Sequence, residues 1–391
     1  MKVVILGSTS KTAYALYPKI KSQSTEIESY WLSSSEQPEW FQSENWTQID
    51  YNNLDGLVAT IKTINPDFVI NLSAYTNVDG CEENKFESHH INYELPKTLA
   101  EHSKDSYHLI HISTDYVFDG KKGLYEISDE RASENIGWYA LSKKDSEDKV
   151  LENSGTIIRT NVLYDSGEYK PNFLTWLKST ITSSDEIFIA YDQFNNPTYT
   201  DDLAQSIMQT IQKSVKGIIH TGGKDWMSRW ELAQVFLLSL SDSESNDDIK
   251  SVSSSSLNQS SPRPQFGGLA ISESEQILDM NFIGIYDFIL ENAEIPKESP
   301  HFEIFKRLIY ILRLLDNDLR KRVLIDIVRN EHKTISINIT NKKILAEIEI
   351  GKSSYSGMLY IYDSQSLNLI DGEIYDDTTI KKFLKSVESF A

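Results

Sequence analysis

The sequence predicts an α/β protein built on a doubly wound parallel sheet, with an α+β module appended at its C-terminal end. Three observations carry this. Short, continuously apolar stretches such as Asp67-Phe68-Val69-Ile70-Asn71-Leu72 and His108-Leu109-Ile110-His111-Ile112 recur with helical segments between them; strands apolar on both faces belong to parallel sheets covered on both sides. The chain opens with Val3-Val4-Ile5-Leu6 running into Gly7 and a helix, an arrangement in which backbone N–H groups and the helix dipole hold a pyrophosphate. Beyond residue 300 the apolar pattern changes to alternation, as in Ile335, Ile337 and Ile339.

The 391 residues, 39% hydrophobic and 11% aromatic, are ample for sizeable cores and for more than one domain. A formal charge of −20 argues against nucleic-acid or anionic-membrane partners, because phosphates would be repelled over most of the surface. A small anionic substrate needs only local positive charge. Cys81 is the sole cysteine, so no intramolecular disulfide forms and a reducing cytoplasm is the expected compartment. No apolar run approaches the length of a membrane span, and Met1-Lys2 leads directly into a strand without a signal-peptide pattern. The histidines lack ligand spacing; His89-His90 reads as helix surface, and no metal site is expected.

In order along the chain, the first strand turns at Gly7-Ser8-Thr9-Ser10-Lys11-Thr12-Ala13 into a short helix that contains Pro18. Ser10 and Ala13 stand where the usual motif has its second and third glycines. The second strand, Ile27 to Leu32, ends in Ser33-Ser34-Ser35, where an NAD site normally sets an acid on the ribose hydroxyls. With no acid there and Lys11 in the phosphate loop, the reading favours NADPH, NADH being possible. Candidate cofactor contacts are Gly7, Thr9, Ser10, Lys11, Thr12 and Ser33. Thr47 to Asp50 precedes an amphipathic helix through Leu57 and Ile61, then the strand at 67–72. A helix over roughly 86–103 leads to the strand at His108, and a helix over 139–150 leads to Thr156-Ile157-Ile158-Arg159. Ligands of such a sheet sit at the carboxyl ends of its strands, where Gly7, Ser73, Thr114 and Thr160 fall.

Chemistry is expected at Tyr139-Ala140-Leu141-Ser142-Lys143 with Ser113-Thr114-Asp115-Tyr116. On a helix the spacing of four brings the Tyr139 phenol and the Lys143 ammonium to one face. A cation beside a phenol lowers its pKa and makes it a usable acid near neutrality. Thr114, closing a buried strand, holds a carbonyl oxygen beside that phenol. The chemistry this suits is proton delivery to an oxygen while hydride reaches its carbon.

The stretches Asn71-Leu72-Ser73-Ala74-Tyr75-Thr76-Asn77-Val78-Asp79, Ile112 to Gly120, Tyr139 to Lys143, Arg159-Thr160 and Asp192 to Ala204 occur in the order and approximate spacing of one family. They resemble dTDP-4-dehydrorhamnose reductase, of the extended short-chain dehydrogenase/reductases. The similarity continues through Gly217 to Gly223 and Ser228-Arg229-Trp230-Glu231 to Arg263-Pro264. The resemblance implies a Rossmann-like domain over 1–294, with a small substrate-binding subdomain built mainly from 166–198 and 224–290. It implies reduction of a nucleotide-linked 4-keto-6-deoxysugar, in polysaccharide biosynthesis, with Thr114, Tyr139 and Lys143 catalytic. Asp50 and Tyr51 would lie by the adenine, and Leu72, Ser73, Ala74 and Tyr75 along the cofactor. Val78, Thr114, Tyr116 and Arg263 would face the sugar nucleotide. Val162 stands where the family commonly has a substrate-facing Trp, and Ala270 where an Asp follows Arg-Pro. On the residues alone Asp50 also reads as a helix N-cap, Tyr116 as core, and Arg263-Pro264 as punctuation after a serine-rich run. A rival reading is a non-catalytic NAD(P)- or nucleotide-sugar-binding regulatory protein on the same fold.

Pro296 and Pro300 bracket a linker. Residues 301–391 then read as a helix with Phe302, Phe305, Leu308, Ile309 and Leu312, a second helix with Leu319, Val323, Ile327 and Val328, three strands, a turn at Asp371-Gly372 and a closing helix from Thr378 to Phe390. Apolar stripes on those helices need cover. Arg320-Lys321-Arg322 offers a cationic patch, so the module is expected to bind a second copy or a protein partner.

Overall fold

The structure is a computed structural model that describes residues 1–42, 45–134, 136–181, 186–240, 249–330, 334–351, 355–363, 366–374 and 377–391. The chain forms two compact units, one of residues 1–172, 194–224 and 258–284, the other of residues 173–193, 225–257 and 285–391.

In the first unit β1 (Lys2–Leu6), β2 (Glu28–Ser33), β3 (Trp46–Gln48), β4 (Phe68–Asn71), β5 (His108–Thr114), β6 (Thr156–Thr160) and β7 (Gly217–Thr221) make one sheet. All neighbours are parallel, in the order β7-β6-β5-β4-β1-β2-β3. The strand order reverses between β1 and β4, which opens a crevice at their carboxyl ends. Around the sheet lie α1 (Lys11–Ser22), α2 (Leu54–Ile64), α3 (Val78–Glu83), α4 (Leu95–Glu101), α5 (Trp138–Glu152) and α6 (Thr200–Lys213).

The period of two along each strand sorts its side chains to the two faces. Val3 and Ile5 pack with Leu16 and Ile20 of α1 and Leu203 and Ile207 of α6. Val4 and Leu6 pack with Leu57 and Ile61 of α2, Leu95 and Leu99 of α4 and Val150 of α5. Each such side chain fully covered contributes roughly 1.5–3 kcal/mol. The segment expected as one helix over 86–103 is helical over Lys85–His89, widens into a π turn at His90–Glu94 and continues as α4.

In the second unit β8 (Leu324–Arg329), β9 (Ile335–Thr340), β10 (Ile344–Ile350), β11 (Tyr355–Asp363) and β12 (Ser366–Ile374) form an antiparallel sheet in sequence order. Ile335, Ile337, Ile339, Ile344, Ala346, Ile348 and Ile350 are all buried. The unit also holds α7 (Arg229–Ser239), α8 (Pro300–Leu314) and α9 (Asp377–Phe390); α8 and α9 pack on the sheet, and α7 packs on β8. Gln234 of α7 caps the free edge of β8, its amide donating to the Ile325 carbonyl at 3.1 Å and accepting from Ile327 N–H at 2.6 Å, as a further strand would. Trp230 Nε1–H donates to Asp326 at 2.8 Å. Beside them the buried Arg320 guanidinium donates to both oxygens of Glu231, which also accepts from the Tyr286 hydroxyl at 2.5 Å.

Three expectations for this region are corrected. Leu319, Val323, Ile327 and Val328 do not share a helix: helix covers only Asn317–Arg320, and β8 follows. The run Leu324-Ile325-Asp326-Ile327 satisfies a period of two, and pairing with β9 decides in its favour. Asp371 and Gly372 are not a turn but lie inside β12, paired with Met358 and Gly357. Arg320-Lys321-Arg322 is no patch, since Arg320 is buried on Glu231 and Lys321 pairs with Asp318 at 3.1 Å. Among the described residues no helix is long and apolar enough to cross a membrane.

Candidate active site

The glycine turn follows β1 directly. Gly7 has φ +73°, and a Cβ there would lie 2.7 Å from the Leu72 carbonyl carbon and the Ser73 nitrogen, so this first glycine is required by both conformation and packing. Ser10 caps α1, its hydroxyl accepting from Ala13 N–H at 3.1 Å, and Ala13 is fully buried where a larger residue would lift the helix off the sheet. At the end of β2, Ser33 is buried with its hydroxyl 3.4 Å from that of Thr9. The turn, the helix N-terminus and the absence of an acid after β2 fit a dinucleotide carrying a 2′-phosphate.

Lys11 does not extend freely from this loop. Its ammonium donates to Asp165 at 3.1 Å and to the Lys170 carbonyl at 2.8 Å. Lys170 in turn donates to the Thr9 carbonyl at 2.6 Å, and the Tyr169 hydroxyl donates to the same oxygen at 2.9 Å. The segment 165–170 is therefore laced to the phosphate loop, a relation that no local pattern announces. Thr12 is buried on α1.

Of the residues assigned to the adenine, Asp50 is exposed and accepts from Asn52 N–H at 2.9 Å. It is not a helix cap, since Asn53 caps α2. The Tyr51 hydroxyl is buried under the glycine turn, accepting from Gly7 N–H at 2.8 Å and from the Ser73 hydroxyl at 2.7 Å. Leu72 and Ser73 are buried at the end of β4; Ala74 and Tyr75 continue toward α3, with Tyr75 N–H donating to Asn92 at 2.8 Å.

Thr114 ends β5 and Tyr139 begins α5. The start of α5 is pinned by Glu82, which accepts from Trp138 N–H at 2.7 Å and from the Ser261 hydroxyl at 3.0 Å. A Cβ at Gly137 would lie 1.9 Å from Ser261 Oγ, so the hydroxyl that Glu82 holds would have to move. The Tyr139 ring meets that of Tyr116 edge to face at 5.8 Å. Burial and the neighbouring Tyr116 push the Tyr139 phenol above its usual pKa, against the pull of the Thr114 hydroxyl. Thr114 and Tyr139 are thus brought together as the sequence implied.

Lys143 is placed differently. Its Nζ donates to the Ile112 carbonyl at 2.5 Å and lies 3.0 Å from His111 Nε2, and burial pushes the ammonium down to about 7, with Glu147 working the other way. The expected cation lowering the phenol pKa is not the arrangement here: the phenol is raised and the lysine faces a histidine. In the sequence His111 stands out only as part of an apolar strand. Its signal was a basic residue in a run whose other side chains demand full burial.

Val78 opens α3, and Tyr116 lies on the turn after β5. With Arg263, Tyr116, Phe118, Ala140, Pro262 and Pro264 line a small open cleft. Arg263 is anchored by Asp79. Partial burial tends to raise the Asp79 pKa, but the bonds from Arg263 and Ser261 N–H prevail and hold it below the usual carboxylate range. Buried Asp115 accepts from Gly268 N–H at 2.9 Å and from Asn161 at 3.5 Å, fixing the chain that follows Arg263. Val162 has φ 28°, unusual for a β-branched residue.

A family model described as the RmlD substrate binding domain matches residues 1–283. A dTDP-4-dehydrorhamnose reductase of Mycobacterium tuberculosis is 32% identical over 214 residues, 52% of this chain and 68% of that protein. A spore coat polysaccharide biosynthesis protein of Bacillus subtilis is 30% identical over 208 residues, 52% of this chain and 71% of that protein. Among solved structures, dTDP-4-dehydrorhamnose reductase from Bacillus anthracis in complex with NADP shares the fold, with a TM-score of 0.64, 24% identity and coverage of 75% of this chain and 98% of that one. Since the family model spans most of the chain, the chain belongs to the RmlD family, that of the dTDP-4-dehydrorhamnose reductases.

Proposed function

We propose that the chain is an NADPH-dependent reductase acting on the keto group of a nucleotide-linked 4-keto-6-deoxysugar. The observation that carries this is the meeting of Thr114 and Tyr139 at the carboxyl end of β5, beside a glycine turn shaped for a dinucleotide, in a member of a family whose relatives are named for that reaction. When bound, the nicotinamide supplies a hydride to the keto carbon. Gly7, Thr9, Ser10, Lys11, Thr12, Ser33, Leu72, Ser73, Ala74 and Tyr75 hold the cofactor, with Tyr139 and Lys143 at its reactive end. Asp50 and Tyr51 are assigned to the same site, Tyr51 now through its bond to Gly7.

Tyr139 gives its proton to the keto oxygen, and the Thr114 hydroxyl steadies that oxygen as charge develops on it. A phenol raised by burial holds its proton at neutral pH and releases it only to an oxygen gaining negative charge. Val78, Tyr116 and Arg263 bind the sugar nucleotide, the guanidinium serving its diphosphate.

We extend the proposal to the second unit, whose β8 to β12 sheet and helices α8 and α9 serve association with a second copy or a protein partner. Among the described residues no group of three potential metal ligands occurs. Cys81 is buried and its thiol is pushed up to about 11 by burial, a form at home in the reducing cytoplasm where we place the reaction.

The test is direct: NADPH binding by calorimetry, then loss of nicotinamide absorbance on adding dTDP-4-keto-6-deoxysugar. Binding followed by substrate-dependent oxidation supports the reading. A chain that binds neither NADPH nor NADH is not a reductase.

A further inference from the structure

Lys11 and Lys170 have exchanged places. Lys11 belongs to the phosphate turn, but its ammonium is engaged on the segment 165–170, by Asp165 and the Lys170 carbonyl. Lys170 belongs to that segment, but its ammonium lies on the turn, at the Thr9 carbonyl. Several contacts hold the segment in this position. Asp165 accepts from Gly167 N–H at 2.8 Å and from the Asn172 amide at 3.1 Å. Tyr169 stacks on Tyr14 of α1, with centroids 5.1 Å apart and the rings 17° from parallel. Trp40 meets both rings edge to face, at 5.1 and 5.3 Å.

The charges within this exchange do not balance. Asp165 answers Lys11 at 3.1 Å, whereas among the described residues no carboxylate lies within ion-pair distance of Lys170. The Lys170 ammonium has a neutral carbonyl and the face of the Tyr169 ring, 5.2 Å away. An ammonium in that setting forms a stronger, charge-assisted bond when a phosphate oxygen comes within reach. Thr9 connects it to the ribose position. The Thr9 carbonyl takes Lys170, and the Thr9 hydroxyl faces that of Ser33 at the end of β2, where the acid of an NAD site takes the ribose hydroxyls. Two hydroxyls can donate to a 2′-phosphate but carry no charge to set against it. Of the two lysines at the turn, Lys170 is the one without a carboxylate.

Taking the crevice as the dinucleotide site, we propose that Lys170 recognises the 2′-phosphate of the cofactor and that the segment 165–170 is a clasp which this phosphate closes. Lys170 swings from the Thr9 carbonyl to the phosphate oxygens. Tyr169 keeps its hydroxyl on the Thr9 carbonyl at 2.9 Å and holds the clasp in register meanwhile. Lys11 serves the cofactor through its backbone N–H at the start of α1, and its side chain is a positioning group that tethers the clasp through Asp165. A nucleotide without the 2′-phosphate leaves Lys170 where it is and does not tighten the clasp. The nicotinamide half takes no part.

The experiment uses the full chain and two nucleotides without nicotinamide, adenosine 2′,5′-bisphosphate and 5′-AMP, which differ in the 2′-phosphate alone. Calorimetry gives both affinities, and amide hydrogen exchange read by mass spectrometry follows residues 165–170. The wild-type chain should bind the bisphosphate about 10- to 100-fold more tightly, as one or two charge-assisted bonds imply, and the bisphosphate alone should slow exchange in the clasp. Lys170→Met keeps the stem and removes the charge; the two affinities should become nearly equal, with that for 5′-AMP unchanged and the slowing lost. Lys170→Arg should restore both. Lys11→Met should weaken the two nucleotides together and keep their ratio. Equal binding by the wild-type chain, a ratio that survives Lys170→Met, or clasp exchange that ignores the bisphosphate overturns the proposal. So does a ratio lost in Lys11→Met alone, which assigns the phosphate to Lys11. Binding of neither nucleotide removes the dinucleotide reading as well. The expected ratio without turnover of any nucleotide sugar upholds the clasp and counts against the reductase reading.

Discussion

Arg263 and Asp79 stand 184 residues apart in the chain and form a two-pronged ion pair, Nη1 on Oδ1 at 3.1 Å and Nη2 on Oδ2 at 2.7 Å. Asp79 follows Val78 in the first turn of α3, so the pair joins two of the segments assigned to the sugar nucleotide. Charge-assisted bonds of this kind are worth roughly 1.5–3 kcal/mol each. Arg263→Ala should therefore raise KM for the nucleotide sugar about 10- to 100-fold and lower kcat much less. Asp79→Asn should give a smaller rise, because the guanidinium stays but loses its orientation. Steady-state kinetics on both variants decide it; a fall in kcat with KM unchanged would place Arg263 in the chemical step.

Tyr139→Phe removes the proton donor without removing the ring that packs on Tyr116. The expected loss is about 10²–10⁴ in kcat with NADPH affinity and melting temperature unchanged. Turnover at the wild-type rate in this variant ends the assignment.

The loop cations should differ in effect. Lys11 is bound to Asp165, so Lys11→Ala should loosen the segment 165–170 and weaken NADPH and NADH alike. Lys170 donates to the carbonyl of Thr9, the residue whose hydroxyl meets that of Ser33, so Lys170→Ala should narrow the preference for NADPH over NADH. Titration of both cofactors against both variants separates them. The reverse outcome would return the 2′-phosphate to Lys11.

Glu231 and Arg320 are buried together, and breaking such a pair from one side costs about 3–5 kcal/mol. Arg320→Met should destabilise the second unit by that order in urea unfolding, and Glu231→Leu added to it should recover most of the loss. Truncation after Glu294 removes Arg320 and β8 from α7, leaving Glu231 and Gln234 without these partners. The truncated chain should melt at lower temperature even where NADPH binding persists. A truncated chain as stable as the whole would mean that the module is a passenger.

Asp115 gives a pH signature. Burial lifts its carboxyl to about 6, against the bonds from Gly268, Asn161 and Thr114. Between roughly pH 4 and pH 6 the folded chain then holds a proton that the unfolded chain has released, so stability is greatest below this window and falls as pH rises through it, by about 3 kcal/mol over the whole range. Asp115→Asn keeps an acceptor for Gly268 N–H and should flatten that stretch of the stability curve. The two curves running parallel from pH 4 to 7 would show that the buried carboxyl is ionised throughout.

The parallel sheet was legible because its strands are apolar on both faces, and few alternatives accommodate Phe68-Val69-Ile70 or Ile157-Ile158. The second unit was legible where alternation is strict, at β9 and β10. It was misread at β8, whose residues fit a helical and a strand period equally until pairing with β9 is known. In the site, Thr114 and Tyr139 follow from sequence motifs, since each sits at the end of an element. What escaped were relations across the fold: His111 reaches Lys143 from 32 residues away, and Lys170 reaches Thr9 from 161. No window of local pattern contains such pairs.

The first unit is drawn from three separate runs of chain, the last of them 258–284, which carries Arg263. During synthesis the sheet strands β1 to β6 leave the ribosome well before that run does, and at ordinary translation speed the interval from residue 172 to residue 284 is on the order of ten seconds. The crevice proposed for the dinucleotide is thus in a position to form before the run that carries Arg263, the residue proposed for the sugar nucleotide, has been made. A nascent chain arrested at residue 224 should already retain a nicotinamide dinucleotide while ignoring the nucleotide sugar, so the order in which the ribosome delivers the pieces is also the order in which the site acquires its ligands.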